Sequence, residues 1–383
     1  MIDGHAFRVP RSRVFETHAS LRDAISAALE PVLFGSIADG YAVRAAFEDE
    51  FASVVGQRWA VSVASGTIGL LLALRACGIG PGDEVITVGN SDISTTAAVR
   101  QCGATPVLCD VLASDYTIDP DLVETRVTPR TRALLPVDLY GHPADGKRLR
   151  ALADRHGLKI IEDAALAAGA EDHGQPVGAY ADATVFSFAP FKPLGSVGNG
   201  GIVVTNDPEI GERLQLFSHY GHALHSEAPP GHQHYVEEGY NVVLDPLQAA
   251  LLRVKLAYLP EWTARRRAIA RAYHDGLAGT AVQCPSFRAQ AAPTFRSYTV
   301  CVPRREAIYA RLREAGVEAV IHYAPAIYRH PVYDGWLPGC ETLPVTDRLA
   351  RSLLCLPVAP ELTDDDIAYA IAVLRDAVEA EAQ

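Results

Sequence analysis

Thr184-Val185-Phe186-Ser187-Phe188-Ala189-Pro190-Phe191-Lys192-Pro193-Leu194-Gly195 begins as a buried strand and ends on a lysine hemmed in by aromatic, proline and aliphatic residues. A lysine so placed has two readings. Burial penalises its ammonium form and frees the lone pair to attack a carbonyl, the state a Schiff-base lysine needs. Alternatively, its stem lies across apolar surface while the head reaches water. The sequence upstream decides between them.

Around this stretch, short apolar runs alternate with amphipathic ones. Val85–Val88, Pro106–Cys109, Ala133–Val137, Lys159–Ile161, Ala183–Phe186 and Ile202–Val204 read as buried strands. Thr67–Cys77, Ser94–Cys102 and Gly146–His156 read as helices, and Asp119-Pro120 supplies an N-cap with proline at the first helical position. This alternation predicts an α/β fold with a mostly parallel central sheet covered on both faces. After Asp245 the pattern changes. Pro246–Tyr258 and Glu261–Leu277 read as long helices, Ser297–Val302 and Val317–Ile321 as strands, and Arg304–Ala315 as a helix between those strands. Thr363-Asp364-Asp365-Asp366 caps a final helix ending near Glu379. The expected organisation is a large domain over residues 1–255 and a smaller C-terminal α+β domain over 256–383. Segments 222–240 and 284–296 read as loops.

A chain of 383 residues is long enough for two domains with a substantial core. Its net charge of −12 argues against general nucleic-acid binding. Cys77, Cys102, Cys109, Cys284, Cys301, Cys340 and Cys355 are odd in number, scattered, and without a Cys-x-x-Cys spacing. That pattern speaks against a disulfide framework or zinc site and for a reducing cytoplasm. The N-terminus has no signal-peptide pattern, and no apolar run approaches the ~20 residues of a membrane span. His219, His222, His225, His232 and His234 crowd one segment, but no helical i, i+4 pair with an acidic third ligand accompanies them. A solvated or substrate-contacting loop is expected there, not a metal site.

Four elements suit a phosphate-bearing aldehyde cofactor. Ser65-Gly66-Thr67 opens a helical run whose free N–H groups and dipole attract an anion, although a plain helix cap has the same residues. Ile160-Ile161-Glu162-Asp163-Ala164-Ala165 places an acid at the end of a buried parallel strand, the crevice where α/β sheets bind ligands. That acid either keeps a pyridine nitrogen protonated or caps the next turn. Ser187, five residues before Lys192, offers a hydroxyl to a phosphate. Gly195-Ser196-Val197-Gly198-Asn199-Gly200-Gly201 lets backbone pass close to a ligand.

In this order and spacing, these residues resemble the DegT/StrS-type sugar aminotransferases, a family of fold type I pyridoxal-phosphate (PLP) enzymes. The resemblance covers nearly the whole chain. It also rests on Gly78-Ile79-Gly80-Pro81-Gly82-Asp83-Glu84, Thr128-Pro129-Arg130-Thr131, Leu139-Tyr140-Gly141, Gly239-Tyr240-Asn241, Leu247-Gln248-Ala249-Ala250-Leu251 and His322-Tyr323. It implies that Lys192 forms the Schiff base with pyridoxal 5′-phosphate and shuttles the proton. By the same resemblance Asp163 pairs with the pyridine nitrogen, while Gly66, Thr67 and Ser187 hold the phosphate. Asn241 would serve the phosphate site of a neighbouring subunit, making the active unit a homodimer, and His322 and Tyr323 would face substrate. The implied reaction moves an amino group from glutamate or glutamine to a keto-sugar, nucleotide-linked, in aminosugar biosynthesis. A cyclitol or other non-nucleotide ketone is an alternative acceptor. Sugar dehydration is an alternative chemistry, although related dehydratases carry histidine in place of the lysine.

Three positions depart from the pattern. Leu166 stands where glutamine or histidine usually contacts the cofactor's phenolic oxygen, and it has no hydrogen to donate. Asp92 falls where an aromatic residue usually stacks on the ring. Val242-Val243 follow Asn241 where an arginine is common.

Overall fold

The computed structural model describes residues 7–223, 232–335 and 342–382. Three helices open the chain: α1 (Val14–Ser20), α2 (Arg22–Phe34) and α3 (Ile37–Val54). Alternating elements follow: β1 (Trp59–Val63), α4 (Gly66–Ala76), β2 (Glu84–Val88), α5 (Ile93–Gln101), β3 (Thr105–Cys109), α6 (Pro120–Val123), β4 (Thr131–Leu134), α7 (Gly146–His156) and β5 (Lys159–Asp163). After the short β6 (Glu171–Asp172) and β7 (Gln175–Pro176) come β8 (Ala183–Ser187), β9 (Gly201–Thr205) and α8 (Pro208–Ser218).

Seven strands form one sheet in the order β1-β9-β8-β5-β4-β2-β3. Strands β2, β3, β4, β5 and β8 run parallel, and β9 is antiparallel to both β8 and β1. Every residue of β2, β8 and β9 is buried, the pattern of a sheet covered on both faces. Helix α4 shows the same logic. Its sequence is apolar nearly all round, eight of its residues are buried, and Ser65 caps it by accepting from the Ile68 amide at 3.3 Å.

Helix α3 clamps the strand that leads to Lys192. Phe51 packs on Phe186 with ring centroids 5.1 Å apart, and Phe47 packs on Phe188 at 5.4 Å. All four rings are fully buried, and each contributes about 1.5–3 kcal/mol relative to exposure. Neither α1–α3 nor the edge strand β1 was among the elements expected from sequence.

The C-terminal elements are α9 (Pro246–Leu256), α10 (Leu259–Gly276), β10 (Ala291–Ala292), β11 (Tyr298–Cys301), α11 (Arg305–Glu314), α12 (Pro344–Ser352), β12 (Leu353–Leu356) and α13 (Asp364–Ala382). Antiparallel β11 and β12 anchor a second core that includes Ile269, Tyr273, Ile308 and Leu374, with Val9 arriving from the N-terminus. Helix α10 passes from one core to the other: Leu259 packs with Phe188 and Leu252, whereas Ile269 and Tyr273 belong to the second core. Thr363 and Asp366 cap α13 reciprocally, each side chain accepting from the other's amide.

Two sequence expectations need correction. Val317–Ile321 is not a strand. Its pairing is split between two partners, Val317 bridging Val9 and Val320 bridging Cys355, so no continuous ladder forms. The segment read as a loop at 284–296 contains β10, which adds to the small β6–β7 sheet through Ala291–Asp172 and Ala292–Glu171 pairs. The six described cysteines are free; Cys340 and His225 lie outside the described residues.

Candidate active site

The C-terminal ends of parallel strands converge on one cleft, where an open α/β sheet presents its loops to ligand. Asp163 ends β5 there. Its Oδ2 accepts from Thr95 Oγ1 at 2.9 Å and its Oδ1 from the Ala165 amide at 3.2 Å. Thr95 is itself 2.9 Å from Ser91 Oγ, so a chain of hydroxyls backs the carboxylate. Burial raises the proton affinity of Asp163, and the Thr95 and Ala165 hydrogen bonds together with the Lys192 charge oppose it.

Lys192 lies in the turn after β8, its amide donating to Ala189 O at 2.9 Å. Burial and the neighbouring Arg296 guanidinium lower its ammonium to about 8, outweighing the attraction of Asp163 and Asp92. The lowered ammonium favours the Schiff-base reading, with Lys192 half-buried on the cavity wall. Lys192, Arg296, Tyr140, Leu166, His322 and Tyr323 all border a cavity of about 170 Å³. Tyr140 donates its hydroxyl to the His322 carbonyl, and the His322 and Tyr323 rings stack with centroids 4.9 Å apart. Burial and the cations Arg296 and Arg11 push His322 down to about 4, leaving a neutral imidazole.

An anion cradle adjoins this cavity. A methyl built on Gly66 would lie 2.9 Å from Ser187 Cβ and 3.3 Å from its Oγ, so the helix start and the serine are in contact. Gly201 is equally pressed: a Cβ there would come within 2.8 Å of the Gly66 nitrogen. The first amides of α4, at Gly66 and Thr67, have no intrahelical acceptor by geometry, and Gly66 lies against the Ser187 side chain. A phosphate-bearing aldehyde fits this set: amides and a hydroxyl for the phosphate, a buried carboxylate for a ring nitrogen, and an amine with an available lone pair.

Two expected residues are exposed, although Asp92 lies near enough to act through its charge on Lys192, His322 and Tyr323. Asp92 is exposed, and its Oδ1 is engaged as the cap of α5, accepting from the Ser94 amide at 2.9 Å and from Ser94 Oγ at 2.7 Å. Asn241 is exposed and bridges His219 through its backbone, while Val242 accepts from the Ala64 amide at 2.7 Å just before α4. Sequence reasoning missed Thr95, Ser91 and Arg296. The signal for Arg296 was weak: a single charge between Phe295 and Tyr298, which a solvated arginine before a strand also shows.

The one group of three candidate metal ligands among the described residues is Asp145, Asp172 and His173. Arg288 lies 2.8 Å from Asp172 and 3.8 Å from Asp145, so a guanidinium already neutralises that cluster.

The sequence pattern of the DegT/DnrJ/EryC1/StrS aminotransferase family matches residues 20–375. The chain belongs to this family. It is a PLP-dependent sugar aminotransferase with the fold type I architecture. It is 44% identical over 333 residues to the dTDP-3-amino-3,4,6-trideoxy-alpha-D-glucose transaminase of Streptomyces venezuelae, covering 86% of each chain. The crystal structure of S. venezuelae DesV in complex with a ketimine intermediate superposes with a TM-score of 0.91 at 41% identity, over 97% of this chain and 99% of that one. The Bacillus subtilis NtdA structure with bound cofactor PMP superposes with a TM-score of 0.87 at 27% identity, over 99% of this chain and 87% of that one.

Proposed function

We propose that this enzyme transfers an amino group from glutamate or glutamine to a nucleotide-linked keto-sugar, working as a cytoplasmic homodimer. The observation that carries the reaction is Lys192, its amine lowered to about 8, beside the buried carboxylate of Asp163 in one cleft. PLP supplies the electron sink that makes a proton on the adjacent carbon acidic. The protein does the rest. Gly66 and Thr67 amides and the Ser187 hydroxyl would hold the phosphate. Asp163, fixed by Thr95 and Ala165, would keep the ring nitrogen protonated. Lys192 Nζ would release the cofactor when the donor arrives, take the α-proton, and return a proton on the other side of the exchange. Leu166 on the cavity wall donates nothing to the ring, so polar support falls to the other side chains. His322, neutral, and Tyr323 border the space left for the sugar.

Support for the nucleotide-linked acceptor comes from the relatives, one of which is named for a dTDP-sugar. Support for the dimer is twofold. Phe15, Phe34, Ile37 and Tyr41 are large apolar side chains exposed on α1–α3. Beside them runs a groove bordered by Tyr41, Arg44, His219 and Val243, and Arg44 Nε is buried in it without a partner. Exposed Asn241 lies at this edge and would reach the partner's phosphate site. Among the described residues no helix is long and apolar enough to cross a membrane. The core built on Ile269, Tyr273, Ile308 and Leu374 supports a small domain after residue 255, with Leu349, Leu353 and Cys355 packing it onto the central sheet.

The test is direct. The enzyme is converted to its amine-loaded form with glutamate, excess donor is removed, and nucleotide-linked keto-sugars are added one at a time. Return of the visible cofactor band with a nucleotide-linked sugar, and not with a free keto-cyclitol, is expected. Return only with the cyclitol would transfer the activity to that acceptor.

A further inference from the structure

Arg296 is a cation without an anion. It precedes β11 and shares with Lys192 the cavity of about 170 Å³. Its Nη1 donates to Ser297 Oγ at 3.1 Å, its Nε is buried with no partner, and no carboxylate among the described residues forms an ion pair with it. The nearby acids are engaged elsewhere. Asp163 accepts from Thr95 and Ala165, Asp92 caps α5, and Glu318 pairs with Arg11 at 3.6 Å. Burial and the neighbouring Arg11 charge lower the proton affinity of Arg296, a half-buried residue whose Nε lies out of reach of water. A buried charge held this way is costly unless a ligand brings its opposite.

Resting on the aminotransfer reading above, we infer that Arg296 receives the α-carboxylate of the amino-acid donor. The donor's nitrogen must replace Lys192 Nζ, and its α-carboxylate lies only two bonds from that nitrogen. The carboxylate is therefore confined to the small cavity that Lys192 and Arg296 both border. Arg296 is the cation on these walls besides Lys192 itself: Leu166 and Phe191 are apolar, His322 is neutral, and Tyr323 and Ser297 offer single hydroxyls. A guanidinium fork matches a carboxylate with two parallel hydrogen bonds. A neutral keto-sugar brings no carboxylate to this point, so with such an acceptor the contact is confined to the donor half of the cycle.

The experiment follows loss of the visible band when PLP-loaded Arg296→Gln meets increasing L-glutamate. Half-saturating glutamate is expected to rise about thirtyfold or more, and Arg296→Lys, which keeps the charge but not the fork, to fall between. Cofactor affinity and Tm, measured in parallel, are expected to match the parent enzyme. Glutarate, which carries two carboxylates and no reactive nitrogen, should bind more weakly to Arg296→Gln by calorimetry. Unchanged glutamate saturation in a loaded Arg296→Gln enzyme overturns the proposal. So does a variant that loses inhibition by D-glucuronate while its glutamate saturation holds, because the guanidinium would then serve an acidic sugar. If no amino acid bleaches the parent enzyme, the aminotransfer reading fails instead, and the glutarate titration still reports on Arg296.

Discussion

Thr95, in the first turn of α5, donates its hydroxyl to Asp163 at the end of β5 across 2.9 Å. This contact links two elements from different parts of the sheet and fixes one carboxylate oxygen. The Ala165 amide fixes the other at 3.2 Å. Burial works against the ionised form of Asp163, and these two bonds work for it. A carboxylate that must hold a ring nitrogen protonated needs them both.

Thr95→Val removes one bond and keeps the shape. A hydrogen bond to a charged group contributes about 1.5–3 kcal/mol, so kcat is expected to fall about tenfold or more. The cofactor's visible band should titrate at a different pH as Asp163 becomes easier to protonate. Thr95→Ser, which restores the hydroxyl, should recover most of both. Steady-state kinetics with a pH titration of the band makes the check; an unaltered pH titration in Thr95→Val would break the link to Asp163.

Gly66→Ala probes the cradle. The added methyl would sit 2.9 Å from Ser187 Cβ, and β8 is buried at every position, so the start of α4 must move instead. The first amides would turn away from the phosphate. Titration of the apoenzyme with PLP should show affinity reduced about tenfold, with the secondary structure retained by circular dichroism.

Lys192 and Asp163, the proposed catalytic residues, stand out in the sequence because each is a charge set inside or at the end of an apolar run, and burial there is improbable without a task. Asp92-Ile93-Ser94 also carries the local signature of a helix cap, and Oδ1 of Asp92 makes that cap. Helices α1 and α2 contain no buried residue, so there was no apolar stripe for a periodicity argument to find. Helix α3 buries only Gly40, Phe47, Phe51 and Ala52, and its partners Phe186 and Phe188 are more than a hundred residues away in sequence. Arg296 escaped for a different reason. A lone arginine before a strand is ordinarily solvated, and only its place on the cavity wall beside Lys192 sets Arg296 apart.

The pH response follows from Lys192. Its ammonium is lowered from an ordinary 10.5 to about 8. Below that value the lone pair is taken by a proton and attack on the aldehyde is slow; above it the amine is free. The rate of visible-band formation on adding PLP to apoenzyme should therefore rise with pH and level off above a midpoint near 8. A midpoint near 10 would mean that the site leaves Lys192 solvated. His322, already neutral above about 4, should add no inflection between pH 5 and 8.

Asn241 allows a test of the dimer that depends on both subunits at once. It is exposed on its own protomer, at the edge of the groove beside α3. If it completes the partner's phosphate site, Lys192→Ala and Asn241→Ala each damage both sites of their own homodimer, the first abolishing turnover and the second weakening cofactor retention. When the two variants are mixed and allowed to exchange subunits, a hybrid places both defects in one site. The other site then combines Lys192 of the Asn241→Ala protomer with the intact asparagine of its partner. Random exchange makes half the dimers hybrids, each with one sound site, so activity at limiting PLP should recover to about a quarter of the parent enzyme. If each site used its own Asn241, no hybrid would contain a repaired site beyond those already present, and mixing would give only the average of the two variants.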